Sequence, residues 1–231
     1  LNQGLCPVDP LKPITLAEWV TLDCELQRKV KRPSTVRENE IAGLQAKRAL
    51  GGGEDEESAK RGGAVKLKAI TTVHVEHIRA WMLDRGVSQA TVAKTLRHLR
   101  GMFNRAVKHG HLIHNPFSGV DMPKVQGRAK RVFTDEELSA MREACPDVWW
   151  EAFVMLGATS GLRFSEMLNT LWRDIDFEGG TITVSGKRGK MQRDAAGRPF
   201  PILEWSAKNG RGRSVPLPPE TVNVLTRLYA S

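Results

Sequence analysis

Cysteine is scarce in this chain. The 231 residues hold three, Cys6, Cys24 and Cys145, an odd and scattered set that excludes both a disulfide framework and a C-x-x-C metal knuckle, and a reducing cytoplasm is the compartment that fits. Long apolar runs are also absent: the stretch around Trp149 and Trp150 is broken by Glu151, well short of the roughly 20 residues a spanning helix needs, so no membrane-spanning segment is expected, while charge by itself leaves nucleic acid and an anionic membrane surface both open as partners. Tyrosine occurs once, at Tyr229, and all six histidines lie between His74 and His114. There is no P-loop and no paired-carboxylate metal motif, and neither a metal nor another cofactor is expected.

What is present is positive charge. Thirty-five Lys and Arg against 26 Asp and Glu leave +9 at pH 7 and an isoelectric point near 9.7, the balance of a chain with a polyanionic partner. With 40% hydrophobic and 26% charged residues, the composition is globular and the length suits two modest domains.

Texture divides the chain at 110–131, where Asn115-Pro116, Gly119, Pro123 and the basic run Arg128-Ala129-Lys130-Arg131 mark a join. The expected division is a helical domain over 1–114, a linker over 115–131 and a second domain over 132–231. In the first, helical spacing covers Thr15 to about Lys29, Ser34 to about Leu50, Thr72 to about Asp84 and Ser88 to about His109, each opened by a hydroxyl residue suited to capping. The polar, glycine-rich stretch from Gly51 to Gly63 reads as a mobile loop unable to pack.

In the second, Thr134-Asp135-Glu136-Glu137 has capping-box spacing and starts a helix to about Glu143. Further helices are expected over Val148 to Ala158 and from near Arg163 to just before Asp174. Strands follow at Thr181–Val184 and Arg213–Leu217, then a helix opened by Pro218-Pro219-Glu220. The fold class is mainly α with a small β-sheet: an all-α bundle followed by an α+β domain.

Projected at about 100° per residue, Ser88 to His109 gathers Val92, Leu96, Leu99, Phe103, Ala106 and Val107 on one arc. The opposite arc holds Lys94, Arg97, His98, Arg105 and Lys108 with no acidic residue of its own, the pattern of a helix laid against duplex DNA. A second concentration over 186–213 sets eight basic residues, Lys187, Arg188, Lys190, Arg193, Arg198, Lys208, Arg211 and Arg213, against Asp194 and Glu204. Its few aromatics favour contact with a duplex backbone over single-strand stacking.

Ala158-Thr159-Ser160-Gly161-Leu162-Arg163-Phe164-Ser165-Glu166-Met167-Leu168, followed by Leu171-Trp172-Arg173-Asp174, resembles the tyrosine recombinase, or phage integrase, family around its first catalytic arginine. Lys208-Asn209-Gly210-Arg211-Gly212-Arg213-Ser214-Val215-Pro216-Leu217 resembles the family's hairpin with the catalytic lysine, and Asn115-Pro116-Phe117 and Phe133-Thr134 its interdomain join. The resemblance runs from about Thr15 to the end, with Gly-Leu-Arg-x-x-Glu-x-Leu its most specific part.

The resemblance implies that Arg163, whose planar fork can hold two oxygens of one phosphate, is catalytic, with Glu166 supporting it from the same helix face. A hairpin lysine would protonate the leaving deoxyribose oxygen. Lys208 is favoured by the Asn209-Gly210 turn, while Lys187 or Lys190 stays open because 187–204 reads as an insertion relative to the family pattern. The implied function is site-specific DNA recombination through a 3′-phosphotyrosyl intermediate, with two domains clamping duplex DNA and a homotetramer on paired sites.

The family completes its site with a His-x-x-Arg pair and a tyrosine beyond that hairpin. Here no histidine follows Arg163, and Tyr229 lies in the helix directly after the hairpin, where a packing role is expected. The chain opens at Leu1 and stops at Ser231 inside a helical pattern, so it is expected to be the front part of something longer, its catalytic domain truncated, able to bind DNA but not to recombine it. The rival readings are a non-catalytic occupant of recombination sites, a topoisomerase of the related tyrosine type and a structural RNA-binding protein; the last leaves the Arg163 block unexplained.

Overall fold

A computed structural model describes residues 13–123, 127, 131–187, 189–193, 199–202, 205 and 211–231, with 190, 192, 193 and 199–202 described in backbone only. It divides into two units, Leu1–Arg128 and Ala129–Ser231.

The first unit contains α1 (Leu16–Arg28), α2 (Pro33–Gly51), α3 (Glu56–Gly63), α4 (Thr72–Asp84) and α5 (Gln89–Lys108). The caps explain the boundaries. Thr15 and Glu18 close a capping box on α1, with Glu18 N donating to Thr15 Oγ1 at 3.2 Å and Thr15 N to Glu18 Oε2 at 2.7 Å. Pro33 stands in the first turn of α2, where its missing N–H is harmless, and Ser88 caps α5. The apolar faces meet in one core around Trp19, Val75, Ile78, Leu96, Leu99, Met102 and Phe103. Cys24 is buried there, and burial pushes its thiol up to about 11.

The expected mobile loop from Gly51 to Gly63 is largely helix. Asp55 caps α3 by accepting from Ser58 N at 2.6 Å, and Ser58, Ala59, Gly62 and Gly63 are buried. Glycine here serves close approach. A Cβ on Gly51 would lie 1.8 Å from the Ser58 carbonyl oxygen, and one on Gly62 would lie 1.9 Å from that of Lys47, so the backbones of α2 and α3 meet where side chains are missing. Composition indicated flexibility because glycine's two uses look alike in sequence.

The expected linker also begins later than 115. Asn115 Nδ2 donates to Arg100 O at 2.9 Å and Asn104 Oδ1 at 2.7 Å, while its own Oδ1 accepts from Phe117 N. This Asx turn drives Phe117 against Phe103, ring centroids 4.7 Å apart, and Val120 joins the same core.

The second unit contains α6 (Asp135–Glu143), α7 (Val148–Thr159), α8 (Phe164–Leu168), β1 (Ile175–Asp176), β2 (Thr181–Val184), β3 (Lys190–Arg193), β4 (Pro199–Ile202), β5 (Arg213–Pro216) and α9 (Pro219–Ala230). One antiparallel sheet has the order β1-β2-β5, with Ile175 opposite Ile182 and Val184 opposite Arg213. β3 and β4 form a separate hairpin, absent from the sequence expectation, as was β1. Ala152, Met155, Leu156, Leu162, Ile182, Val184, Leu217, Val224 and Leu225 supply the core.

The helix expected from Arg163 to just before Asp174 stops at Leu168 instead. Asn169 Nδ2 donates to Ser165 O and Thr170 Oγ1 to Glu166 O, and these short polar side chains satisfy the carbonyls that another turn would use. Asp174 Oδ2 then accepts from Leu171 N at 2.8 Å and starts a separate 3₁₀ turn, Trp172–Asp174.

Candidate functional site

Gly161, at φ +61°, turns the chain between α7 and α8. Ser160 Oγ braces the turn by donating to Leu156 O and accepting from Leu162 N. Arg163 follows as the N-cap residue of α8 and Glu166 stands in its first turn. The geometry therefore folds the glutamate back on the arginine: Arg163 N donates to Glu166 Oε2 at 2.9 Å and Arg163 Nη1 to Oε1 at 2.9 Å.

A second arginine completes this arrangement. Arg213, the first residue of β5, donates from Nη1 to Glu166 Oε1 at 3.0 Å and from Nη2 to Oε2 at 2.6 Å. The carboxylate is 1% exposed, against 53% for the Arg163 side chain and 38% for that of Arg213. The Arg213 hydrogen bonds, helped by the Arg163 N–H and guanidinium, outweigh burial and hold the Glu166 carboxyl at about 2. Glu166 in turn raises Arg213. Two cations on one anion leave a net positive, partly exposed group at the start of α8, suited to one phosphate.

Three basic residues expected to face DNA are occupied within the fold. Beyond Arg213, Lys187 is buried, its Nζ donating to Asp174 Oδ2 at 2.5 Å and to Ser185 Oγ at 3.3 Å. Its backbone pairs with Trp205, N to O at 2.7 and 3.0 Å, closing the base of the segment that carries β3 and β4. Arg105 grips buried Asp23 of α1 with both forks, Nε to Oδ1 at 2.5 Å and Nη2 to Oδ2 at 2.7 Å.

The rest of the basic arc of α5 is also less free than its own sequence suggests. Lys94 pairs with Glu38 of α2 at 2.7 Å, Arg97 Nε donates to Ala93 O, and His98 Nδ1 lies 2.8 Å from Asn39 Oδ1. Burial lowers the pKa of His98 against the opposing pull of Glu38. Lys108 is exposed. The acidic partners come from α1 and α2, so a projection of α5 alone misses them. Arg211 is exposed; Lys190 is described in backbone only, in register with Ile202. Arg188 and Lys208 lie outside the described residues. Asp174 and Trp205 were not singled out in sequence, and only the pairing of Lys187 reveals them.

The phage integrase SAM-like domain profile matches residues 22–125, and the phage integrase family profile matches residues 131–231, which include the Arg163–Glu166–Arg213 cluster. This chain belongs to the tyrosine recombinase, or phage integrase, family. Among its family relatives, the tyrosine recombinase XerC of Xylella fastidiosa (strain M23) is 30% identical over 142 residues, which cover 58% of this chain and 48% of XerC. The chain thus spans about half the length of the curated relatives it matches.

The integrase fold is shared with the Tn1549 transposon integrase in complex with a circular intermediate DNA, at a TM-score of 0.68 and 18% identity over 94% of this chain and 66% of that one. A lambda integrase tetramer bound to a Holliday junction has a TM-score of 0.60 at 19% identity, covering 82% of this chain and 50% of the other. Among the described residues, no helix of this integrase-family chain is long and apolar enough to cross a membrane.

Proposed function

We propose that this chain is the DNA-engaging, phosphate-holding part of a site-specific recombinase acting on double-stranded DNA in the cytoplasm, assembling as a homotetramer on paired sites. The observation that carries the reading is the Arg163–Glu166–Arg213 cluster, with a guanidinium braced by a buried carboxylate at the start of α8.

In this mechanism Arg163 binds non-bridging oxygens of the scissile phosphate and offsets the charge that develops in the pentavalent transition state. A tyrosine hydroxyl gives up its proton as its oxygen attacks phosphorus, the bond to the 5′ oxygen breaks, and that oxygen takes a proton to leave as a hydroxyl, so that no net proton is consumed. The 3′-phosphotyrosyl ester conserves the bond for rejoining. Lys208 is the proposed proton donor, on its hairpin motif; the burial of Lys187 against Asp174 argues against Lys187 in that task. Arg97, Lys108, Arg188, Lys190 and Arg211 are the proposed contacts to the duplex backbone.

The test is Arg163→Lys in the full-length recombinase with a nicked suicide substrate. Covalent protein–DNA adduct is expected to vanish while duplex affinity stays within about threefold, since one contact among many phosphate contacts is changed. Unchanged adduct formation overturns the role of Arg163. Duplex binding with no adduct from unsubstituted protein would instead identify a non-catalytic occupant of recombination sites.

A further inference from the structure

Glu166 poses an electrostatic problem for the phosphate reading on which this inference rests. Its carboxylate is 1% exposed and bonded to Arg163, so alone it would cancel the charge Arg163 needs to attract an anion. Arg213 removes that cancellation. It reaches Glu166 from a different element, and its place is set by the sheet: Arg213 faces Val184 across the ladder, and the neighbouring pair Thr183 and Ser214 joins hydroxyls at 2.9 Å.

Both terminal nitrogens of Arg213 are spent on the two carboxylate oxygens, a bidentate grip that a lysine ammonium cannot reproduce. Among the described residues, Arg163 uses only its backbone N and Nη1 within the cluster, which leaves Nε and Nη2 for an incoming phosphate. We propose that Arg213 is a positioning residue that neutralises and clamps Glu166, so that Arg163 meets the phosphate as a fixed guanidinium with its full positive charge. Arg213 acts through Glu166 and need not touch the DNA.

The experiment is a titration of this chain with inorganic phosphate at constant ionic strength, followed by NMR on the backbone amides of Arg163, Phe164 and Ser165. Arg213→Gln is expected to weaken phosphate binding about tenfold, because the remaining pair is neutral. The double variant Glu166→Gln/Arg213→Gln is expected to return to within about threefold of wild type, because the Arg163 charge is again uncompensated. Wild-type affinity in Arg213→Gln, or a double variant as weak as Arg213→Gln, would overturn the proposal.

Should Arg213→Gln not fold, Glu166→Gln and the double variant answer the same question. Charge neutralisation predicts that Glu166→Gln binds phosphate more tightly than wild type and the double variant about equally. A role limited to pinning sheet to helix predicts that both bind more weakly, which would also overturn the proposal. Arg163→Gln separates the two readings. If it leaves the phosphate response intact, the assignment of Arg163 fails; if it abolishes the response while Arg213→Gln does not weaken it, only the role of Arg213 fails.

Discussion

Arg163 and Arg213 converge on one oxygen of Glu166, their Nη1 atoms standing 2.9 and 3.0 Å from Oε1. Residues 47 positions apart on the Glu166–Arg213 side thus form one electrostatic unit, and its consequences reach beyond the proposed phosphate contact.

Acid sensitivity is the first. The folded-state pKa of Glu166 is about 2, below the ordinary value of 4.5, so the unfolded chain binds its proton first as pH falls. The stabilisation is therefore complete above about pH 4.5 and is lost progressively from there down to about pH 2. Urea denaturation of wild type and Glu166→Gln across that window is expected to show a drop attributable to Glu166 in wild type only; parallel profiles would refute it.

The Lys187–Asp174 pair should matter for stability and leave the chemistry alone. Both side chains are under 10% exposed, at 4% and 7%, so Lys187→Met leaves a buried carboxylate without its partner. The expected loss is about 3–5 kcal/mol, measured by urea titration, with much of it regained in Lys187→Met/Asp174→Leu. A Lys187→Met protein as stable as wild type would place that ammonium in solvent.

On α5, two basic residues that look equivalent in sequence should behave in opposite ways. Arg105→Ala strands Asp23, which is 1% exposed, and is expected to cost about 3 kcal/mol or more of folding stability. Lys108→Ala is expected to leave stability within about 0.5 kcal/mol while reducing the slope of log affinity for duplex DNA against log salt by about 1. Fluorescence anisotropy at several salt concentrations, paired with denaturation, checks both; exchanged phenotypes would mean that the buried pair is misassigned.

Much of the helical frame was legible in the chain because its signals are local. Thr15, Ser88 and the Thr134–Glu137 box announce helix starts within four residues, and the apolar spacing of α5 matches the face it buries. The Gly161-Leu162-Arg163 block with Glu166 was legible for the same reason, since the arginine and its carboxylate are three residues apart. The loop misread at α3 shows the limit: glycine at 51 and 62 codes for contact between backbones, and the contact is visible only with α2 in place.

By itself, then, the sequence determined where most of the helices start, the basic character and the Arg163–Glu166 couple, all consequences of periodicity, capping and short-range spacing; it missed α3 and the early end of α8. Only the tertiary structure decided which cations are spent. Arg105 meets an acid 82 positions away, Lys187 one 13 positions away and Arg213 one 47 positions away. A charge's fate depends on what lies within a few ångströms of it after folding, since Coulomb and desolvation energies act through space and not along the chain.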